Sequence, residues 1–249
     1  MEVYDPIATQ YKEFRENLIY DIYYYVETYT YLSQLGDLSG KSILDLGCGD
    51  GIHSRNFKKK GASRVVGVDI STQMLELARA EEAKEPLGIE YILSDMCELG
   101  KIDAFDVVAA AFSINHAQTK EHLRQMCQTI YDNLKPGGQF VALNNNLGLS
   151  PESYECLEKY GYYRNKDLGD FEEGMPIPSL AFEVNGEQVV IDDCYLSQET
   201  YEWAFQEVGF KRVNWYKPMV SPEGIEKWGQ EYWQDFLDHP PMRLIECQK

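Results

Sequence analysis

Apolar residues along this chain gather in short blocks. Ile43 to Leu46, Arg64 to Asp69, Ile89 to Leu93, Phe105 to Phe112 and Gln139 to Leu143 are bounded mostly by Gly, Ser or Asn. Blocks of that length read as strands buried in a sheet. The stretches between them change period. Leu123, Met126, Cys127, Ile130, Tyr131 and Leu134 follow i, i+3, i+4, i+7, i+8, i+11, which is one face of a helix. A helix is also expected from about His53 to Lys60, ending at Gly61, and another capped by Ser71. A regular βαβαβ alternation up to Leu143 predicts an α/β fold, a doubly wound Rossmann-like sheet.

The flanks are different. Before the first strand, Asp5-Pro6 reads as a helix start, with Asp5 as N-cap and Pro6 at the first helical position. Helices over 6–17 and 19–35 follow, carrying Tyr11, Tyr20, Tyr23, Tyr24, Tyr25, Tyr29 and Tyr31. Residues 144–196 break the alternation. Ala181 to Val184 and Gln188 to Ile191 flank Asn185-Gly186, the signature of a hairpin with a type I′ turn. Beyond it, Ser197 caps a helix holding Tyr201, Ala204, Phe205 and Val208. Lys211 to Pro218 and Met242 to Cys247 complete the sheet as strands six and seven. The tryptophans at 203, 215, 228 and 233 all fall in this last stretch and are expected mostly in the core.

Composition narrows the function. The chain has 249 residues, 44% of them apolar, which suffices for one full domain core. Its net charge of −18 disfavours nucleic acid and anionic membrane surfaces as partners. Six cysteines without a C-x-x-C pair, no apolar run of spanning length and no signal-like N-terminus lead to a cytoplasmic expectation. The four histidines do not pair at ligand spacing, so no metal is expected.

The chemistry concentrates after the first strand, in Asp45-Leu46-Gly47-Cys48-Gly49-Asp50-Gly51. Strand, glycine turn and helix form a nucleotide site, where Gly47 and Gly49 let backbone approach a ligand. A dinucleotide fingerprint requires G-x-G-x-x-G. Here the spacing is G-x-G-x-G, and Asp45 and Asp50 would repel a pyrophosphate. Two acids suit a ligand carrying an ammonium and a sulfonium. Asp69, about twenty residues on, stands where a carboxylate accepts from both ribose hydroxyls.

This block resembles motif I of class I S-adenosylmethionine-dependent methyltransferases, and Leu134-Lys135-Pro136-Gly137-Gly138 is similar to a further block of the family. The resemblance implies strand order 3-2-1-4-5-7-6 with strand 7 antiparallel. It implies S-adenosylmethionine as cofactor, with S-adenosylhomocysteine as product. Asp45, Gly47 and Gly49 would form the loop, and Ile70 and Met74 would pack on adenine. Ser94, Asp95 and Met96 would meet the adenine edge, and Phe112, at the end of strand 4, would face the methyl group. Tyr11 and Arg15 would approach the methionine carboxylate. Residues 1–40 would be a helical lid, and 41–249 the methyltransferase domain with a substrate cap over 145–196.

A narrower similarity, to toxoflavin-synthase-like small-molecule N-methyltransferases, rests on Tyr4-Asp5-Pro6-Ile7-Ala8, Asn115-His116-Ala117, Asn144-Asn145-Asn146, Asp235-Phe236-Leu237 and Pro240-Pro241. It implies methyl transfer to a nitrogen of a small molecule; the aromatic excess of the chain suggests an aromatic or heterocyclic one, and a monomer or homodimer is expected. His116 is the candidate base. Transfer to oxygen or carbon, or cofactor binding without turnover, are the alternatives.

Overall fold

The computed structural model describes residues 4–17, 19–146, 148–162, 171–184 and 187–249. Its strands are β1 (Ser42–Leu46), β2 (Arg64–Asp69), β3 (Glu90–Leu93), β4 (Phe105–Ala111), β5 (Leu134–Asn145), β6 (Pro176–Val184), β7 (Glu187–Cys194), β8 (Val213–Tyr216) and β9 (Met242–Gln248). Seven form one sheet in the order β3-β2-β1-β4-β5-β9-β8. The first five are parallel, and β9 runs antiparallel to both β5 and β8. This is the expected 3-2-1-4-5-7-6 order once β6 and β7 are set apart. Those two pair only with each other, as an antiparallel hairpin between β5 and β8 in the chain. The expected Asn185-Gly186 turn lies outside the described residues.

The sheet is covered on both faces, because side chains alternate along each strand. Leu44, Val66, Val108 and Phe140 point to the helices Lys120–Asp132 and Gln198–Val208. Ile43, Val65, Val107 and Val141 point to Tyr31, Phe57 and Trp233 on the other face. Burying both faces is what makes the central strands near-continuously apolar. Among the described residues no helix is long and apolar enough to cross a membrane.

Four details depart from expectation. Asp5 does not cap its own helix: it lies inside the 3-10 turn Asp5–Ile7 that precedes the helix Ala8–Asn17. Its carboxylate accepts instead from Ser71 Oγ and, at 3.1 Å, from the Gln73 amide. The N-terminal segment is thereby tied to the start of the helix Thr72–Lys84, which Ser71 caps as expected. The second helix contains a π-helical stretch, Tyr23–Thr28, between Tyr20–Ile22 and Tyr29–Leu35. The fifth strand begins at Leu134, which pairs with Phe105 before a register shift over Lys135-Pro136-Gly137-Gly138. Of the tryptophans, Trp233 is fully buried whereas Trp228 is 44% exposed; the latter's indole nitrogen instead donates to Asp21 across 2.9 Å.

Candidate active site

The parallel strands all end on one rim, and a cavity of about 530 Å3 opens there. Parallel sheets of this kind bind ligands at that rim. Its floor is the turn after β1. Gly47 and Cys48 donate to the Val68 carbonyl at 2.8 and 3.0 Å, which ties the turn to β2. The two glycines of this turn differ. At Gly47 (φ +70°) an added Cβ would lie 2.3 Å from Ser113 Cβ, so close packing against the end of β4 demands glycine. At Gly49 (φ +55°) nothing lies within 4 Å of such a Cβ, so the backbone faces open space.

Asp69, at the end of β2, accepts from the Gly49 amide at 2.7 Å and from the Ser71 amide at 2.8 Å. One carboxylate therefore fixes the glycine turn, the next helix and the cavity wall together. Burial pushes its pKa up, against the pull of those amides. Ile70 and Met74 line the wall beside it, as do Ser94, Asp95 and Met96 after β3. Asp95 accepts from the Cys97 amide at 2.8 Å, which holds the loop in a tight turn. Phe112 lines the cavity in a left-handed conformation (φ +51°), the only such non-glycine among the described residues. An aromatic residue held there costs of order 1 kcal/mol or more, a strain found chiefly at functional sites.

Asp45 is the expected site residue that the structure keeps out of the lining. It is 1% exposed, accepts from Ser54 Oγ at 2.5 Å, and burial raises its pKa to about 7. It sits under the turn as a support. Cys48 is buried, and burial holds its thiol well above the usual range, which favours the protonated form over a reactive thiolate.

The roof comes from the two flanks the sequence set apart. Tyr4, Tyr11 and Arg15 descend from the N-terminal segment, Tyr23 and Glu27 from the second helix, and Pro176, Val190, Asp192 and Cys194 from the hairpin. Tyr4 and Tyr11 meet edge to face at 5.2 Å. Arg15 donates to Asp50, both deeply buried, with its guanidinium 5.4 Å from the Tyr23 ring centre.

His116 lies in the 3-10 turn Ile114–His116 after β4, at the junction of floor and roof. Its Nε2 is 3.2 Å from the Tyr4 hydroxyl. Its Nδ1 is 2.9 Å from Asp193 Oδ1, close enough for an ion pair but off the line of a straight hydrogen bond. Asp193, on β7, is 1% exposed, and its other oxygen accepts from Asn145 Nδ2 at 2.7 Å. A carboxylate facing Nδ1 favours the tautomer with its proton there, leaving Nε2 as acceptor.

Of the residues expected from sequence, Tyr11, Arg15, Gly47, Gly49, Asp69, Ile70, Met74, Ser94, Asp95, Met96, Phe112 and His116 share this one cavity. Sequence reasoning missed Asp193, Asp192, Glu27, His53 and His122. Only the Asn144-Asn145-Asn146 run at the end of β5 hinted at a polar group above it.

Comparison with known proteins agrees with this architecture. Residues 43–138 match a family model described as a methyltransferase domain. A curated relative, the ribosomal protein L11 methyltransferase of Burkholderia multivorans, is 38% identical over 134 residues. The match covers 54% of this chain and 40% of that protein, so the chain spans well under half of the relative's length. A crystal structure of an S-adenosylmethionine-dependent methyltransferase from Mesorhizobium loti superposes with a TM-score of 0.60 at 22% identity, over 87% of this chain and 94% of that one. A complex of DhpI with SAM and HEP gives 0.63 at 15% identity, over 99% and 94%. The chain has the seven-stranded Rossmann-like fold of these methyltransferases.

Proposed function

We propose that this protein is a methyltransferase that moves a methyl group from S-adenosylmethionine to a nitrogen of a small aromatic or heterocyclic molecule. The observation that carries this reading is the charge of the cavity. Glu27, Asp50, Asp69, Asp95 and Asp192 line it against the single guanidinium of Arg15. An enclosed acidic site favours cationic ligands, which a sulfonium cofactor and an amine acceptor both are. The matched methyltransferase domain supports the reaction class, and bound SAM in the DhpI complex supports the cofactor.

The residues present fit that cofactor. Asp69 spends one bond per oxygen on backbone amides, and its remaining lone pairs would accept from ribose hydroxyls. Ile70 and Met74 offer an apolar wall for adenine, and Asp95 an acceptor at its edge. The open backbone at Gly49 lets the ligand lie close. When bound, the cofactor supplies an electrophilic methyl group on a good leaving group.

The chain's own part is then positioning and proton handling. Holding an acceptor nitrogen in line with the methyl group is worth about 7–11 kcal/mol when well done. Tyr4, Tyr11 and Phe112 provide flat surfaces for an aromatic acceptor. His116 Nε2, now bonded to the Tyr4 hydroxyl, would take the acceptor's proton, and Asp193 would steady the imidazolium formed. That same base favours a second reading, transfer to a hydroxyl oxygen, which must lose a proton to react.

Calorimetric titration with S-adenosylmethionine, S-adenosylhomocysteine and NAD tests the cofactor. Micromolar binding of the first two and none of NAD is expected; NAD binding would sink the reading. A mass-spectrometric methyl-transfer screen over amines, heterocycles and phenols then separates nitrogen from oxygen. Binding without turnover on any acceptor would favour a cofactor-binding protein that is no enzyme.

A further inference from the structure

The second helix presents different residues on its two sides. Tyr23 and Glu27 line the cavity, whereas Tyr20 and Tyr24, 45% and 50% exposed, face solvent with their rings stacked at 5.7 Å. The C-terminal segment runs along this outer side. Trp228 Nε1 and Lys227 Nζ donate to Asp21 at 2.9 and 2.7 Å. The Ser221 amide donates to the Tyr25 carbonyl at 2.8 Å, and Thr30 Oγ1 bonds both the amide and the carbonyl of Met219. Eight large apolar residues are exposed among the described residues, and Tyr20, Tyr24, Met219 and Trp228 gather on this one flank.

The rings form a continuous surface. Tyr24 meets Tyr25 edge to face at 5.2 Å, and Lys227 Nζ lies 5.3 and 5.2 Å from the Tyr25 and Trp228 rings. Trp228 in turn stacks on Tyr232 at 5.0 Å. Lys159 Nζ lies 5.4 Å from the Tyr232 ring and pairs with Asp235 at 2.6 Å. Single apolar residues scattered on a surface need no explanation, whereas a contiguous exposed group marks a contact. Tyrosine and tryptophan are the residues that dominate the centres of protein interfaces.

We propose that this flank is where two copies of the chain meet across a two-fold axis. Charge selects that occupant. The chain carries −18, so two copies repel each other overall. The charged groups bonded into the ring surface are instead balanced, Lys159 and Lys227 against Asp21 and Asp235. A strongly basic partner would meet the two lysines lying over the rings, and a strongly acidic one the two aspartates. A second copy brings the same balanced set, and a two-fold contact places like surface on like surface. Apolar ring area then drives association against the repulsion between the rest of the two molecules.

The test is sedimentation velocity on the full chain up to about 0.1 mM, a range that reads micromolar affinities. It compares wild type with Tyr24→Ala, Trp228→Ala and Leu93→Ala, the last at an exposed residue on the free edge of β3. Wild type is expected to dimerise, and more tightly as salt rises to about 0.5 M, because salt screens the overall repulsion and spares the apolar contact. Tyr24→Ala and Trp228→Ala should each weaken the dimer by about thirtyfold or more, the effect of truncating a central aromatic residue. Leu93→Ala should dimerise as wild type does. Trp228 also bonds Asp21 within its own chain, so Tyr24→Ala decides the matter if Trp228→Ala fails to fold. A wild type that stays monomeric overturns the proposal. So does a dimer that survives Tyr24→Ala, or one that Leu93→Ala abolishes. None of these outcomes depends on the cofactor.

Discussion

Asp193 Oδ1 lies 2.9 Å from His116 Nδ1, and the two residues come from different layers of the molecule. His116 follows a central strand of the sheet, whereas Asp193 sits in the separate hairpin above it. The hairpin thus roofs the cavity and also supplies the group that orients the candidate base. If His116 takes the acceptor's proton, His116→Ala should lower kcat by about 100- to 10,000-fold. Asp193→Asn should lower it by about 10- to 100-fold with KM for the cofactor unchanged, since its contact is through His116. Asn145 still has an oxygen to donate to in that variant, so Tm should hold within a few degrees. Steady-state kinetics with calorimetric melting checks both; a loss confined to KM would sink the proton role.

How much of this was readable beforehand follows from the range of each interaction. The glycine turn, Asp69 and Asp95 are set by local rules: a strand, then a turn residue, then a capped helix. Asp69 bonds to residues within its own βα unit or the turn one unit earlier. Such short-range logic is written in spacing. The partnership of His116 with Asp193, and of Asp5 with Ser71, joins segments far apart in the chain. No periodicity records where a hairpin or an N-terminal strap will come to rest. Glu27 was hidden for another reason. Regular helical spacing gives no sign of a π turn, and it is the π stretch that accompanies its inward placement. Asp45 carried the motif's signature, but the signature does not say which oxygen a neighbouring serine, Ser54, will claim.

Asp69 joins turn, helix and wall, so its loss should be felt in ligand affinity before stability. Asp69→Ala removes two amide contacts and the two acceptors proposed for ribose. Hydrogen bonds to a charged group are worth about 1.5–3 kcal/mol each. S-adenosylhomocysteine binding should weaken by about 100-fold or more. Asp69→Asn keeps one acceptor for ribose and should fall between. Titration calorimetry on the three proteins orders them; equal affinity for wild type and Asp69→Ala would remove Asp69 from the site.

Two buried carboxyls should make the ligand-free protein less stable as pH rises. Burial raises both Glu27 and Asp45 to about 7 in the folded state. Unfolded, they titrate near 4. Between those values the folded chain holds protons that the unfolded chain has lost, so stability present below about pH 4 falls as pH rises to 7. Each group accounts for about 1.4 kcal/mol per pH unit at most. His53 opposes them: its folded value near 4 lies under the unfolded 6.5, so its contribution is lost as pH falls through that window. With two groups against one, the net slope is negative. Melting at pH 5 and 7.5 should show a lower Tm at the higher pH. Asp45→Asn should reduce that difference, and Glu27→Gln should do the same independently.

The two glycines of the turn should separate stability from binding. In Gly47→Ala the new Cβ would stand 2.3 Å from Ser113 Cβ, at a backbone angle unfavourable to alanine. The left-handed conformation costs about 1–2 kcal/mol and overpacking about 1–3 kcal/mol. A combined loss of about 3 kcal/mol should lower Tm by roughly 6–12 °C at the usual 2–4 °C per kcal/mol for a chain of this size. In Gly49→Ala the same conformational term applies but nothing stands within 4 Å of the methyl group. Its Tm should fall by the smaller amount of about 2–8 °C. That methyl group intrudes where ligand and backbone are to meet, so S-adenosylhomocysteine affinity should fall at least about tenfold. Melting and titration of both variants give a crossed result if the turn cradles the ligand at Gly49. A Gly49→Ala variant that binds as wild type does would place the ligand elsewhere in the cavity.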